Sequence, residues 1–489
     1  MTICSLTFLL YCGGLALVVQ LAPGKWLRQL LLASASSAFL ASLVPDQRSW
    51  SCFAVVLAIT YAALVLVRAW PRGGIATLGI ALAVFLYLYL KRYALVSQFI
   101  PMPFELDLEV HPVEVVGVSY MTFKFIHMLV DQWEGQLAPF NLWSYLNYQL
   151  SFFTLTAGPI QRYNDFLSSW DAIDRGPGAT RDGVVCWIRI LTGMIKIGVF
   201  GAYFQSAFRA ASYGHRTFTL QEALICFYEY PVYLYCNFSG YTDVMIGAAG
   251  LLGFRLPENF NRPWLARNVL DFWDRWHITL THWIRDYVFM TSYKTAATRF
   301  PRAARYWSYA LLFVALFLAG VWHGTTSGFV MFGVLNGLGA AVTRAYGDLL
   351  RATLGRKGVD AYLRNPVMRL VAVVTTLHYV CLSQLFFSSD FETAIKILAS
   401  AGTEIYHLPT VLTNYASHAV AVAIGIVAVL LIALWKNEAI AAIRLPQLTA
   451  GNDRRLWSVL CLECLFVGGM FFVGWAFQQP AAPVVYMAF

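Results

Sequence analysis

Uncharged apolar stretches recur along the chain, and they constrain its fold more than any other feature. Leu6 to Leu21, Leu30 to Val44, Cys52 to Val67 and Ile75 to Leu90 contain no Asp, Glu, Lys or Arg. A bilayer accepts such runs as helices, because a helix satisfies its own backbone hydrogen bonds where no water can do so. The first run is followed by its charges at Lys25 and Arg28, not preceded by them, so it reads as a retained span and not as a secretory leader.

The pattern continues beyond these four. Further segments run from Val115 to Val130, Leu146 to Ile160, Val184 to Phe204, Leu220 to Leu234 and Val244 to Phe254. Others run from Tyr306 to Val321, Phe329 to Val342, Leu370 to Phe387, Val420 to Trp435 and Leu456 to Phe477. Roughly ten to thirteen membrane-associated helices are expected, some interrupted or re-entrant where polar backbone is buried inside the protein. In 489 residues that are 59% hydrophobic and 12% charged, no room is left for an ordinary water-soluble enzyme. The expectation is an all-α polytopic membrane protein forming a single domain over residues 1–489. Within it, residues 1–92 supply peripheral transmembrane helices, residues 113–342 a motif-bearing core and residues 367–477 C-terminal transmembrane helices.

The charge distribution orients these spans. The net charge of +9 suggests nucleic acid only if the basic groups share one hydrated face, and here they lie between apolar segments, so no nucleic-acid partner is expected. Residues 255–305 carry nine Lys or Arg against four Asp or Glu, and residues 344–369 are again rich in Arg and Lys. The positive-inside rule places both connections in the cytoplasm, together with the loop bearing Lys436, Arg444, Arg454 and Arg455. The nine cysteines fall mostly in apolar stretches and lack a four-ligand zinc spacing, so no metal site is expected.

Against this apolar background, ionisable groups within or beside the spans are informative. His323 follows a strongly apolar run in LFLAGVWHGTTSGFVMFGVLNG, where such a group has to be paired, hydrated or used. Gly320 and Gly324 permit close helix approach or a break in geometry, and Trp322 can wall a narrow cavity. The stretch DFWDRWHITLTHWIRDYVF, Asp271 to Phe289, suits a helix lying at the membrane surface, with His277, Leu280, Thr281 and Ile284 sharing one side. His277 reads either as a catalytic or positioning group or as an interfacial hydrogen-bonding residue, and His282 falls off the stripe. Trp273 and Trp276 offer flat surfaces for the interface or a pocket wall, and Arg285 follows in the same stretch.

Two more constellations are candidates for supporting a pocket. NFSGYTD places Ser239, Tyr241 and Asp243 beside an apolar segment, where they line a passage or satisfy one another. In AGPIQRY, Gly158 and Pro159 interrupt a hydrophobic run, and Gln161 and Arg162 either meet an anionic donor or end the passage. Transfer of an acyl group from a thioester to a hydroxyl gives the two histidines coherent roles. His323 takes the proton of the attacking oxygen, and His277 positions the acceptor or balances charge.

The chain resembles the membrane-bound O-acyltransferase superfamily, in particular its bacterial branch that acylates cell-envelope and extracellular polymers. The resemblance rests on ordered segments: GVSYMTFKFIHMLVD (Gly117 to Asp131), FFTLTAGPIQRY (Phe152 to Tyr163), NFSGYTDVMIG (Asn237 to Gly247), GFRLPENFNRPW (Gly253 to Trp264), the His277 stretch, and GVWHG (Gly320 to Gly324). It implies a membrane-bound O-acyltransferase fold with a central tunnel joining donor and acceptor sides. It maps the principal catalytic histidine onto His323 and the second motif histidine onto His277. Bacterial relatives continue their RDY segment into a proline- and glycine-rich turn, whereas here Arg285, Asp286 and Tyr287 lead into Val288, Phe289, Met290, Thr291 and Ser292.

The resemblance implies an O-acetyltransferase of the bacterial cytoplasmic (inner) membrane that acts on an exported polysaccharide. The donor substrate is acetyl-CoA or an acyl thioester, with no tightly bound cofactor. Expected partners are membrane lipids, the polysaccharide, a periplasmic acetyltransferase or polymer-synthesis proteins, and an acyl-carrier protein. Two alternatives stand beside it: a carrier-fed acyltransferase for teichoic acid or peptidoglycan, and a lipid or polymer transporter without acyl chemistry.

Overall fold

The computed structural model describes residues 5–43, 47–90, 112–173, 180–212, 217–324 and 326–403, with isolated positions at 406, 461, 464–465 and 468–469. The expected spans from Val420 to Trp435 and from Leu456 to Phe477, and the basic loop between them, lie outside the described residues apart from those isolated positions. All regular elements among the described residues are helical, and one isolated antiparallel bridge joins Phe260 to Trp276.

The chain divides into two compact units that interleave in sequence. One takes residues 1–198, 237–258 and 456–489; the other takes 199–236 and 259–455. Helix α1 (Leu6–Leu21) opens the first unit. Ser5 caps it by accepting the Phe8 N–H at 3.1 Å, and the chain leaves it at Ala22, before Pro23 and a left-handed Gly24 (φ 76°). It buries Phe8, Cys12, Ala16 and Val19, a stripe at helical spacing. Helices α2 (Lys25–Leu43), α3 (Gln47–Ala69) and α4 (Gly73–Leu90) follow, matching the four early apolar runs, and α3 and α4 pack against α5 (Pro112–Trp133).

The expected span from Leu146 to Ile160 is not a continuous helix. Asn141 and Ser144 form a reciprocal cap on α6 (Leu142–Leu150), Ser151 breaks it, and α7 (Phe152–Leu155) lasts four residues. The buried irregular chain beyond is held by side chains. The Tyr148 hydroxyl donates to the Gln161 carbonyl at 2.6 Å, and the Gln161 amide donates to the Arg255 carbonyl at 3.0 Å. A Cβ on Gly158 would meet the Phe153 backbone, so the fold-back at AGPI needs glycine there. After α8 (Tyr163–Asp171), helix α9 (Thr180–Ile195) runs through a π-turn at Lys196–Gly201 into α10 (Ala202–Ser212).

A second correction concerns Leu220 to Leu234 and Val244 to Phe254, which the sequence presents as separate segments. They form one helix, α11 (Leu220–Leu251), that passes through Pro231. The polar residues between them are buried within this helix, and Asp243 finds cationic partners on α9 and the π-turn after it.

The second unit is built on a helix pair. α15 (Ala304–His323) packs on α16 (Ser327–Arg364), and α17 (Pro366–Ser388) and α18 (Phe391–Thr403) complete the set. Small residues set how closely the pair approaches. A Cβ on Gly320 would collide with the Gly333 backbone, and one on Gly337 would come within 2.7 Å of the Phe313 carbonyl oxygen. Among the described residues, five stretches are long and apolar enough to cross a membrane: Gly73–Leu90, Gly183–Ser212, Pro301–His323, Ser327–Arg364 and Pro366–Ser388.

Candidate active site

The stretch Asp271 to Phe289 does not form the single surface helix that its periodicity predicts. It divides into α12 (Val269–Trp273), a turn, α13 (Ile278–Ile284), a π-turn at Arg285–Met290 and α14 (Thr291–Arg299). His277 is the residue at the break. Its backbone is left-handed (φ 46°, ψ 51°), a conformation uncommon outside glycine but enriched for His, and its side chain is 1% exposed. It therefore sits at the entrance to α13 instead of on a stripe with Leu280, Thr281 and Ile284.

A residue that the sequence did not single out holds this turn. Asn259 is fully buried, and its side-chain oxygen accepts from the Thr279 N–H (3.2 Å) and the Thr279 hydroxyl (2.9 Å). Its backbone carbonyl accepts from the Ile278 N–H at 3.0 Å. Asn259 thus supplies the helix cap that His277 does not provide. The same side-chain oxygen lies 3.2 Å from Nδ1 of His277.

This geometry selects a tautomer. A backbone N–H can only donate, so the Thr279 N–H fixes the oxygen of the Asn259 amide toward the turn. His277 Nδ1 must then carry the proton that it shares with that oxygen, which leaves Nε2 as a lone-pair acceptor. Burial lowers the His277 pKa from 6.5 to about 3, so the ring is neutral at physiological pH. Among the described residues, the Asn259 Nδ2 group has no hydrogen-bond partner, which leaves a buried donor beside the histidine.

His323 ends α15 and is 6% exposed. Its ring is enclosed by Trp322 (centroids 4.6 Å apart), Phe387 of α17 (4.8 Å), and Phe329 and Phe332 of α16 (6.1 Å each). Gly324 follows because a Cβ there would press on the Phe329 ring. Phe332 also touches Trp273 at 6.4 Å, and the Trp273 indole N–H donates to Asn336 of α16 at 3.1 Å. These contacts fasten α12, which leads into the His277 turn, to the helix that walls His323. Both histidines therefore belong to the same compact unit, and the segment leading into His277 is tied to the aromatic cluster around His323. Trp276 joins it, stacked on Phe272 at 5.6 Å and edge-on to Phe260 at 5.1 Å.

The remaining candidates are placed differently. Arg285 is half exposed and pairs with its neighbour Asp286 at 3.0 Å. His282 is half-buried on α13. From Arg285 to Arg299 this chain continues without leaving helical geometry. Ser239, Tyr241 and Asp243 belong to the other unit. There Tyr241 hydrogen-bonds Thr156, while Asp243 binds Lys196 at 2.7 Å and Arg189 at 3.0 Å. Arg189 also grips Glu258 through two bonds of 2.6 Å. These contacts make Asp243 the centre of a buried ion-pair network.

Comparison with known proteins matches residues 43–384 to the membrane-bound O-acyltransferase family. The chain is 30% identical over 254 residues to a probable alginate O-acetylase of Pseudomonas aeruginosa, covering 52% of this chain and 46% of that protein. It is 30% identical over 292 residues to a teichoic acid D-alanyltransferase of Bacillus subtilis, covering 56% and 69%. It is also 25% identical over 286 residues to a teichoic acid D-alanyltransferase of Streptococcus thermophilus, covering 56% and 68%. The chain thus spans about half the length of the first of these relatives and about two-thirds of the other two.

Proposed function

Because the chain belongs to the membrane-bound O-acyltransferase family, we propose that it transfers an acetyl group from a thioester donor to hydroxyls of an exported polysaccharide. It is a multi-pass protein of the bacterial inner membrane. The observation that supports the reading is that two buried histidines lie in a single unit, His323 within an aromatic cluster and His277 at the turn after Trp273, which packs on that cluster through Phe332.

In this mechanism, His323 is the general base. The acceptor oxygen attacks the acyl carbon, its proton passes to the His323 ring, the C–O bond forms and the C–S bond breaks. The proton then moves from His323 to the departing thiolate. His277 is a positioning group. Its Nε2 lone pair accepts from a second hydroxyl or amide of a substrate and so holds the reacting oxygen toward His323. The Asn259 amide N–H, beside His277, is a donor for a substrate oxygen. Trp322, Phe387 and Phe332 keep water away from the base, which protects the thioester from hydrolysis.

Donor and acceptor identity form the finer part of the proposal. Acetyl-CoA, or a thioester relayed by an acyl-carrier protein, supplies the acyl group, and a periplasmic acetyltransferase completes delivery to the polymer. The similarity to teichoic acid D-alanyltransferases, at the same 30% identity, favours carrier-fed transfer to teichoic acid as the second reading. Membership of an acyltransferase family leaves the transporter alternative without support. Purified protein incubated with acetyl-CoA or an aminoacyl carrier, and with polysaccharide or teichoic acid, separates the two by product mass. An acetyl increment on the polysaccharide supports the first reading, and an aminoacyl increment on teichoic acid the second.

A further inference from the structure

Helix α16 does not run straight to its end. Gly355 adopts φ 63° and ψ 176°, and the chain beyond it folds back so that the Tyr362 hydroxyl lies 3.2 Å from that of Tyr346. A left-handed φ of this kind suits glycine and few other residues. The fold-back, the first turns of α17 and residues 267–275 together line a half-open cavity of about 760 Å³.

The lining of this cavity has two characters. Val342, Leu350, Val359, Leu363 and Met368 give it an apolar wall. Its charged groups are Arg267, Arg275, Arg351 and Arg369 against the single carboxylate of Asp271, so four cations face one anion. Asp271 is already committed: it pairs with Arg275 at 2.6 Å and accepts from the Arg267 backbone N–H at 2.9 Å. Arg351 touches Asp348 at 3.3 Å, with its side chain 65% exposed. Among the described residues, neither Arg267 nor Arg369 forms an ion pair, so their guanidiniums remain available to an anion.

We propose that this cavity binds an anionic phospholipid of the cytoplasmic leaflet. Its phosphate lies among Arg267, Arg351 and Arg369, and an acyl chain lies along the wall of Val342, Leu350, Val359, Leu363 and Met368. Guanidinium groups bind phosphate through paired N–H donors, and basic pockets between transmembrane helices on the cytoplasmic side recognise lipid headgroups. The excess of Arg and Lys in residues 344–369 puts this end of the helices on that side. An apolar wall beside a net positive rim fits an amphiphile better than a fully soluble anion. The proposal concerns lipid binding and stands apart from the acyl-transfer reading.

Native mass spectrometry of the purified full-length protein, delipidated and then titrated with phosphatidylglycerol or with phosphatidylcholine of the same chains, tests it. The expected result is at least about tenfold tighter binding of phosphatidylglycerol, with that preference lost in Arg267→Gln/Arg369→Gln. It should persist in Arg302→Gln, a control at an exposed arginine outside the cavity. Equal binding of both lipids, or an unchanged preference in the double variant, overturns the proposal. So does displacement of the lipid by millimolar pyrophosphate, which would assign the cavity to a soluble phosphate ligand instead.

Discussion

The side-chain oxygen of Asn259 lies 3.2 Å from Nδ1 of His277 while also taking both the N–H and the hydroxyl proton of Thr279. One buried amide thereby caps a helix and sets which nitrogen of a histidine carries the proton. Asn259→Ala removes both effects. The expected outcome is a fall in kcat of roughly 10- to 100-fold, by analogy with other groups that orient a functional histidine. Loss of the buried acceptor also leaves the Thr279 N–H and the His277 Nδ1–H without their partner, which should cost about 1–3 kcal/mol of stability each. Steady-state kinetics beside thermal unfolding in detergent separate the two effects. Unchanged kcat in a folded Asn259→Ala protein would count against the tautomer assignment.

Burial of His277 also predicts a pH dependence of stability. Its folded pKa, about 3, is below the unfolded value of about 6.5, so between these the unfolded chain binds a proton that the folded chain does not. Stability therefore rises with pH from about 3 to about 6.5, and above that range this group contributes no further dependence. His277→Gln should flatten that part of the profile. Unfolding midpoints measured at pH 4, 5, 6 and 7 for both proteins provide the check, and identical slopes would contradict it.

The network around Asp243 makes a contrasting prediction, because its role is in folding. Asp243→Ala leaves the Lys196 cation buried without its 2.7 Å partner and removes one of the two carboxylates that hold Arg189. Stripping one member from a buried ion pair costs about 3–5 kcal/mol. Asp243→Ala should therefore express poorly or melt early, and Asp243→Ala/Lys196→Met should recover part of the loss. Size-exclusion profiles and melting curves of the single and double variants test this. A double variant no better than the single would separate Asp243 from Lys196 energetically.

Close approach of α15 and α16 gives a steric prediction. Gly320→Val forces side-chain atoms into the Gly333 backbone, so the helices must separate or shift. Because His323 lies three residues along the same helix, activity and stability should fall together, whereas Gly347→Ala, in open space on α16, should leave activity unchanged and raise stability by about 0.5–1 kcal/mol. Parallel activity and melting measurements on the two variants decide it, and a fully active Gly320→Val would refute the packing argument.

The sequence made the membrane-spanning elements legible where one local rule governs them. Leu6–Leu21 was bounded to the residue because an uncharged run ends at a Pro-Gly break, and the pair carrying His323 followed from two apolar runs flanked by basic connections. What was not legible depends on partners distant in sequence. His277 looks helical by its spacing, but its backbone is turned by an asparagine eighteen residues earlier, and no periodicity reports such a contact. The segments either side of Tyr235 looked separate because polar residues normally end an apolar helix. They continue as one because α9 and the π-turn after it supply Arg189 and Lys196. The fold-back at Gly355 went unread for the same reason, since a lone glycine in a basic stretch carries no local sign of the cavity it closes.

The most direct test of the central claim follows the acyl group itself. Purified wild-type, His323→Ala and His277→Ala proteins, each shown to be folded, are given an isotope-labelled thioester donor and a hydroxylated polymer, and the product is read by mass spectrometry. Loss of the base predicts a rate lower by about 10²- to 10⁴-fold in His323→Ala. His277→Ala should show a smaller loss with a raised acceptor KM. Wild-type rates of labelled product in His323→Ala would contradict the assignment of His323 as the base.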